Sequence, residues 1–317
     1  MQAVVQKGYG GPEQLRLADI AIPEPGKSQI RVKVLACAVN LSDWEYLTGS
    51  PFYARLVGGL MRPRHAVLGS DIVGIVDKLG RDVSGFSIGD RIMGDLVMVR
   101  GGFAEYACVS AADMAKVPEA LSDEVAACLP QAGSIAVTGT EGLKEGDRLL
   151  INGAGGGSGS MALHLAKAAG AHVTVVDNGG KLDWLRSLGA DAVIDYTKQD
   201  FTSAGHQWDR ILDMVATRGP SQIARALAPG GVYKATGGKV RVLLALLIGG
   251  LRFRLQNKSI GILMVPSGRQ LTERVAQLAV EGKITPHLEG VVPLSSVLDA
   301  LRRTGVGDVK GKLVVRP

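Results

Sequence analysis

Five glycines crowd into seven residues of the chain, in the sequence LINGAGGGSGS at residues 150–160. Glycine weakens helices and strands because it loses more backbone entropy on folding than any other residue. A cluster this dense therefore marks either a tight turn or a place where a ligand must approach the backbone closely.

The residues on both sides of the cluster favour a ligand. Residues 148–152 (RLLIN) predict a short buried strand, and 160–169 (SMALHLAKAA) predict a helix that ends at Gly170. Residues 171–177 (AHVTVVD) predict a second buried strand. Strand, glycine turn, helix and strand form a βαβ unit, whose helix N-terminus can bind a pyrophosphate.

The glycine spacing has the form AxGxxG, and Asp177 ends the second strand where a dinucleotide fingerprint places its ribose-binding carboxylate. A tight turn in a protein that binds no nucleotide is the alternative. The candidate cofactor residues in this unit are Ala154, Gly156, Gly157, Ser158, Gly159, Asp177, Asn178 and Lys181.

Composition limits the remaining classes. A chain of 317 residues with 46% hydrophobic and 21% charged residues is typical of a soluble protein of two domains. The net charge of +6 is spread over scattered basic residues and aromatics make up only 4%, so a nucleic-acid partner is not favoured. Cysteines 37, 108 and 128 show no disulfide or zinc spacing.

No targeting or membrane segment is predicted. Residues 1–9 lack the pattern of a signal peptide, and the apolar run 242–251 (VLLALLIGGL) is about half as long as a membrane span. We expect this run to form a lid or core helix. The protein is therefore expected to be cytoplasmic and to have no membrane partner.

The pattern along the chain changes near residue 122. Before it, short strands and turns predict an all-β module; after it, strands alternate with helices, which predicts an α/β fold with a doubly wound sheet of six parallel strands. The predicted domains are 1–121, a dinucleotide-binding domain at 122–265, and a return to the first domain at 266–317.

Several ordered motifs resemble the medium-chain dehydrogenase/reductase family, in its zinc-independent, quinone-reductase-like branch. The resemblance implies a GroES-like catalytic domain, a Rossmann domain inserted into it, and a homodimer. The motifs that carry it are VNLSDWEYLTG (39–49), VLGSDIVGIV (67–76), GDRIMG (89–94), GGFAEY (101–106), the glycine turn and SLGADAVIDY (187–196).

Zinc-binding members of this family have Cys, His and Cys as ligands. At the matching positions this chain has Asn40, Ser70 and Gln131. None of these supplies the thiolate or imidazole that Zn²⁺ prefers, so no zinc is expected.

Without a Lewis acid, hydrogen bonds must polarise the substrate carbonyl, which suits hydride transfer from a nicotinamide to an enone or a quinone. The resemblance points to Asn40 and Ser42 as catalytic candidates; Asn40 either touches substrate or caps a loop. Tyr53 is a candidate acid or a packed side chain in the apolar stretch 50–63. That stretch and residues 242–251 are expected to border a site for a small hydrophobic carbonyl substrate.

NADH is expected to be preferred over NADPH. Asp177 would repel a 2′-phosphate, and the Gly179–Gly180 turn after it offers no positive charge, although Lys181 keeps NADPH possible. By resemblance Tyr196 contacts the adenosine half, and Gly237, after the predicted strand 232–236, completes the cofactor candidates. The alternatives are a zinc-independent carbonyl (alcohol/ketone) reductase and a non-catalytic, crystallin-like or RNA-binding role.

Overall fold

The computed structural model describes residues 1–203 and 205–317, which divide into two compact units. The first unit contains residues 1–134, 266–282 and 286–317, and the second contains 135–265 and 283–285. Residues 122–134, which the change in sequence pattern assigned to the second domain, belong to the first unit because their helix 123–127 packs against four strands of its sheet.

The secondary structure follows in chain order. The strands are β1 (Gln2–Gln6), β2 (Leu15–Asp19), β3 (Gln29–Ala38), β4 (Asp71–Leu79), β5 (Arg91–Asp95), β6 (Tyr106–Ser110), β7 (Ala115–Lys116), β8 (Arg148–Asn152), β9 (His172–Asp177), β10 (Ala192–Asp195), β11 (Trp208–Asp213), β12 (Leu227–Ala235), β13 (Ser259–Ile262), β14 (Leu288–Pro293) and β15 (Lys312–Arg316). The α-helices are α1 (Leu41–Thr48), α2 (Tyr53–Gly58), α3 (Asp123–Ala127), α4 (Pro130–Thr140), α5 (Gly157–Ala168), α6 (Leu182–Ser187), α7 (Pro220–Ala226), α8 (Val240–Gly250), α9 (Arg269–Val280) and α10 (Val297–Gly305).

The first unit is built on a seven-stranded sheet in the order β14-β15-β3-β4-β5-β7, with β6 also paired to β3. Along β3 the side chains of Ile30, Val32 and Val34 are buried while alternate residues are more exposed, as the two-residue period of a strand requires.

Two helices interrupt the module that its turns and strands predicted to be all-β. Helix α1 begins after Asn40, whose backbone N–H is bonded by the carboxylate of Asp43, and ends at Gly49 with φ +61°. Helix α2 follows within five residues. Both are short, so the turn-rich pattern around them masked their helical period.

The second unit holds a sheet of six parallel strands in the order β10-β9-β8-β11-β12-β13. The six-stranded doubly wound sheet predicted from the sequence is confirmed. The chain leaves β8 toward one edge and returns beside it at β11, so the order reverses between these two strands. Ligands of open α/β sheets bind at such a reversal, beyond the carboxyl ends of the strands.

Helix α5 begins three residues earlier than the sequence predicted, inside the glycine turn. Gly156 precedes it in an extended conformation (φ −89°, ψ 177°), and the first intrahelical bond runs from the N–H of Ser160 to the carbonyl of Gly156. The N–H groups of the first turn therefore have no intrahelical acceptor and point out of the glycine turn.

Within residues 1–203 and 205–317, no helix combines the length and the apolar character needed to cross a membrane. Most of the apolar run 242–251 lies in helix α8, so the run forms a helix, as expected from the sequence.

Candidate active site

Two glycines of the turn after β8 are required by the fold itself. Gly153 has φ +81°, a left-handed conformation that glycine adopts without strain. A Cβ on Gly159 would lie 2.5 Å from both Ala154 Cα and the carbonyl oxygen of Gly153, so helix α5 can approach the turn only with glycine there.

Gly156 differs from these two because the fold does not need it to be glycine. Its φ is open to any residue, and the nearest atom to an added Cβ is the Gly153 oxygen at 3.9 Å. The missing side chain leaves free space directly before the N-terminus of α5. Gly157 and Ser158, in the first helical turn, are half-buried. This cradle fits a phosphate approaching the helix N-terminus.

Asp177 lies at the end of β9, beside the cradle. Its carboxylate accepts the N–H of Gly155 at 2.7 Å and the N–H of Asn178 at 2.9 Å, and Lys181 Nζ is 3.9 Å away. A Cβ on Gly155 would collide with the side chains of Asp177 and Lys181, so this glycine allows the carboxylate to reach the turn. The structure thus brings Asp177 and Lys181 to the glycine turn.

The remaining cofactor candidates lie at the same edge of the sheet. The side chain of Asn178 accepts the N–H of Gly180, which starts the turn into α6. Tyr196 follows β10, is exposed, and donates its backbone N–H to Asp177. Gly237 follows β12, and an added Cβ would lie 3.0 Å from the Met214 oxygen.

Sequence reasoning missed Asp213, the last residue of β11. Its fully buried carboxylate accepts from Asn152 Nδ2 and the Tyr233 hydroxyl, each at 2.8 Å, and from the N–H groups of Val215 and Ala216. Burial, and then the Asp213 charge, raise the pKa of Tyr233. The carboxylate ties the loop after β11 to the end of β8. Its sequence signal was only an aspartate at the end of an apolar run.

In the first unit, Asn40 is buried and all its polar groups are engaged. Its Nδ2 donates to Ser70 Oγ at 3.0 Å, its Oδ1 accepts from Lys312 Nζ, and its backbone N–H donates to Asp43 at 3.0 Å. The side chain is therefore held inside the protein by two partners, Ser70 and Lys312.

Ser42 is half-buried. Its hydroxyl contacts Arg100, which also binds Asp43, the partner of the Asn40 backbone. It donates to Gln131 Oε1 at 3.0 Å and accepts from Arg100 Nη1 at 3.4 Å. Gln131 in turn donates its backbone N–H to Asp71 and its Nε2 to Asp95. The positions that carry zinc ligands in zinc-binding relatives thus meet in one cluster, held together by amide and hydroxyl groups.

Tyr53 is bonded elsewhere. Its hydroxyl donates to Glu45 Oε1 at 2.8 Å, and no hydrogen bond in the described part of the chain joins it to Asn40 or Ser42. Burial, and then the Glu45 charge, raise the pKa of Tyr53. A raised pKa makes the phenol a weaker acid.

Long-range charges that the sequence did not reveal hold this cluster. Arg100 Nη1 lies 2.6 Å from Asp43 Oδ1, both side chains are fully buried, and the guanidinium stacks 3.6 Å above the Tyr46 ring. Lys312 Nζ is 3.8 Å from Asp71. The partners are 57 and 241 residues apart, so no local pattern could have joined them.

Asp71 and Asp95 face each other across β4 and β5. Burial, followed by the charge of Asp95, raises the pKa of Asp71 well above its ordinary value, and burial raises the pKa of Asp95 to about 6. Two carboxyl groups in one buried site resist simultaneous ionisation, which raises both pKa values.

This shift predicts how stability depends on pH. The folded pKa of Asp95 lies above its ordinary 3.8, so the folded state binds this proton more tightly and the contribution of Asp95 to the free energy of unfolding falls as pH rises from 4 to 7. In Asp95→Asn that fall should shrink by roughly 1–3 kcal/mol, measured by urea unfolding at both pH values. Asp82→Asn, at an exposed position, should keep the wild-type fall; an unchanged fall in Asp95→Asn would contradict the shift.

The apolar stretches expected to border the substrate lie at the surface of their own units. In the first unit Phe52, Leu56, Leu60 and Met61 are exposed, and in the second the exposed residues include Leu247 and Ile248 of α8.

A zinc ion does not fit this cluster. Within the described residues no group of three His, Cys, Asp or Glu side chains is arranged to hold a metal. Asn40, Ser70 and Gln131 supply neither thiolate nor imidazole, and the Asn40 oxygen already accepts from the ammonium of Lys312.

Two known families match parts of the chain. Residues 26–119 match the family described as "Alcohol dehydrogenase GroES-like domain", and residues 188–315 match "Zinc-binding dehydrogenase".

Relatives match over the whole chain. A 2-methylene-furan-3-one reductase of Solanum lycopersicum is 31% identical over 100% of this chain and 79% of its own. An NADPH-dependent alkenal/one oxidoreductase of Arabidopsis thaliana, a chloroplastic protein, is 30% identical over 100% of this chain and 80% of its own. The solved quinone oxidoreductase of Coxiella burnetii superposes with a TM-score of 0.89, at 28% identity, over 100% of this chain and 99% of its own.

Proposed function

The chain belongs to the medium-chain dehydrogenase/reductase family, and we propose that it is an NAD(P)H-dependent oxidoreductase that transfers hydride to a hydrophobic enone or quinone. The observation that carries the proposal is the cradle at Gly156, with the Asp177 carboxylate at the end of the neighbouring strand. Relatives named for enones and quinones give the substrate class.

Different residues of the second unit bind different parts of the cofactor. The free N–H groups of the first turn of α5 bind the pyrophosphate in the space that Gly156 leaves, and Asp177 accepts from the adenosine ribose. Asn178, Lys181 and Tyr196 border this half, and Gly237, after β12, lies on the other side of the strand reversal. When bound, the nicotinamide supplies the hydride.

Ser42 is the hydroxyl that we assign to the substrate oxygen. It is half-buried, and rotation about its Cβ–Oγ bond turns its proton from Gln131 to a ligand. The neighbouring Arg100 donor favours negative charge at this place. Asn40 and Tyr53 are held by Lys312 and Glu45, so we assign them to positioning.

Zinc independence is part of the proposal, because the cluster offers the wrong donors for Zn²⁺. Hydride addition to an enone or quinone forms an enolate or phenolate, which needs less stabilisation than an alkoxide. Hydrogen bonds from the cluster can therefore replace a Lewis acid.

Removing the Ser42 hydroxyl should lower kcat/KM for an enone about 10- to 1000-fold, because one transition-state hydrogen bond is lost. The Kd of NADH, measured by fluorescence titration, should stay within about twofold of the wild type. Ser42→Thr should restore most of the activity. If Ser42→Ala turns over as the wild type does, this hydroxyl does not touch the substrate oxygen.

A preference for NADH over NADPH is expected from Asp177. We predict that Asp177→Ser lowers the ratio of kcat/KM for NADH to that for NADPH by about tenfold or more, because a carboxylate repelling the 2′-phosphate is gone. Lys181→Ala should raise the ratio, since it removes the nearest cation. A wild type that already prefers NADPH, or a ratio unmoved by Asp177→Ser, would refute this role.

The function is tested by oxidation of NADH and NADPH with quinones, enones and saturated ketones, after treatment with a strong chelator. Turnover with enones or quinones, unchanged by the chelator, is expected. Turnover with saturated ketones alone would favour a carbonyl reductase. RNA binding without turnover would favour the non-catalytic role.

A homodimer, a cytoplasmic location and a small hydrophobic carbonyl substrate complete the proposal. Light scattering of the purified protein tests the first of these, with twice the chain mass of 33.1 kDa expected.

A further inference from the structure

The excess of positive charge is concentrated in one segment of the second unit. Residues 239–258, the basic segment, contain five basic residues and no aspartate or glutamate. The whole chain has 36 basic and 30 acidic residues, so the other 297 residues hold 31 and 30. The net charge of +6 therefore comes almost entirely from these 20 residues.

Helix α8, within the basic segment, has two apolar faces. Val242 and Leu246 are buried in the core of the second unit. Leu244, Leu247 and Ile248 are exposed, with Ile248 at 75% of its full surface. In the short 3-10 helix that follows, Leu255 is 96% exposed. Leu244, Leu247 and Ile248 are three and four residues apart, so they form one stripe on α8, and Leu255 lies beyond the end of that helix.

The cations of the basic segment are not neutralised. Arg252 donates to the Ser221 hydroxyl and Lys258 to the Ala224 carbonyl at 2.6 Å, while Lys239, Arg241 and Arg254 are exposed. None of the five pairs with a carboxylate in the described part of the chain. The stripe is therefore accompanied by uncompensated positive charge.

A polar hollow of about 170 Å³ lies at the end of the basic segment. It is lined by Gly230, Arg254, Asn257, Lys258 and Ser259. Two cations, an amide and a hydroxyl around a small open hollow are the groups that bind a phosphate.

We propose that the basic segment binds the surface of a membrane rich in anionic lipids. Leu244, Leu247, Ile248 and Leu255 enter the boundary between headgroups and acyl chains, and Arg254 and Lys258 receive a lipid phosphate. An exposed apolar stripe beside lysines and arginines is the composition of helices that lie in this boundary. This binding is separate from the proposed reaction and does not depend on it.

Two other occupants fit the surface less well. A second copy docked on this face by a twofold axis would bring five positive charges against five. Single-stranded RNA is held largely by stacking on exposed aromatic rings, and the single aromatic residue of the segment, Phe253, is buried.

The test is sedimentation of the full-length protein with vesicles of phosphatidylglycerol and phosphatidylcholine, or of phosphatidylcholine alone. Binding to the anionic vesicles only is expected, weakening at high salt. Ile248→Asp and Arg254→Glu should each lower the partition coefficient about tenfold or more, since one basic residue near an anionic surface contributes about fivefold. Arg16→Glu and Leu17→Asp, at exposed positions of β2, are matched controls that should bind like the wild type.

Circular dichroism of each variant confirms that the fold is kept. Absence of binding to anionic vesicles, or equal losses in the test and control variants, would overturn the proposal. It is also overturned if Ile248→Asp halves the particle mass in light scattering while vesicle binding persists, because the stripe then contacts a second copy. Competition by RNA at equal charge concentration, with no effect of Ile248→Asp, would assign the segment to RNA.

Discussion

Replacing Asp43 by asparagine is expected to lower the free energy of unfolding by about 3–5 kcal/mol. The ion pair between Asp43 and Arg100 is fully buried, so the substitution leaves a guanidinium without its counter-charge inside the first unit. The loss is large because a buried charge cannot recover its solvation when its partner is removed. Urea unfolding at pH 7 measures it.

The pair Asp299–Arg302 is the matched control. It has a similar N–O distance of 2.9 Å but lies at the surface, so Asp299→Asn should cost less than about 1 kcal/mol. Arg100→Met added to Asp43→Asn should recover much of the loss, because the uncompensated charge is gone and the chain still packs on Tyr46. Equal losses of unfolding free energy in Asp43→Asn and Asp299→Asn would show that the buried ion pair stabilises the fold no more than the surface pair.

Two glycines of one turn are expected to respond differently to alanine, one with loss of both stability and cofactor binding and the other with loss of cofactor binding alone. In Gly159→Ala the new methyl meets backbone atoms of Gly153 and Ala154 at 2.5 Å, and backbone cannot move aside as a side chain does. We expect a loss of about 1–3 kcal/mol or more in unfolding free energy, together with loss of cofactor binding. Thermal unfolding and NADH titration measure the two effects.

Gly156→Ala is the matched variant that should weaken cofactor binding without changing the stability of the fold. Its conformation suits alanine and its surroundings are open, so the free energy of unfolding should change by less than about 0.5 kcal/mol. The methyl group nevertheless fills the space before α5, and the Kd of NADH should rise about tenfold or more. NADH binding at the wild-type Kd would show that the cofactor does not enter this space.

The cofactor half of the site was predictable because its signals are local. The glycine turn, the helix after it and Asp177 lie within 30 residues, and each has a physical reason that a sequence shows directly. The six-stranded sheet followed from the alternation of strands and helices. The start of α5 was missed because glycines argue against a helix, although here they form its first turn.

The polar cluster of the first unit could not be predicted in the same way. Ser42 and Asn40 were found by resemblance, but their partners Arg100, Gln131 and Lys312 come from distant parts of the chain. Burial decides the behaviour of Asp71 and Asp95, and burial is a property of the folded sheet that no single stretch of sequence displays.

The basic segment could not be recognised from the sequence for a third reason. Its five cations are separated in the sequence by apolar residues, so they form no charge run. Only the exposure of Leu247, Ile248 and Leu255 shows that the apolar residues between them do not all belong to the core.

Conjugate hydride transfer by this protein is tested most directly by following the transferred hydrogen. The protein is incubated with an α,β-unsaturated ketone and NADH deuterated at both C4 positions, and the product is examined by mass spectrometry and NMR. A saturated ketone with one deuterium on the carbon β to the carbonyl is predicted. Deuterium on the carbinol carbon of an allylic alcohol, or no deuterium in any product, would contradict conjugate hydride transfer by this protein.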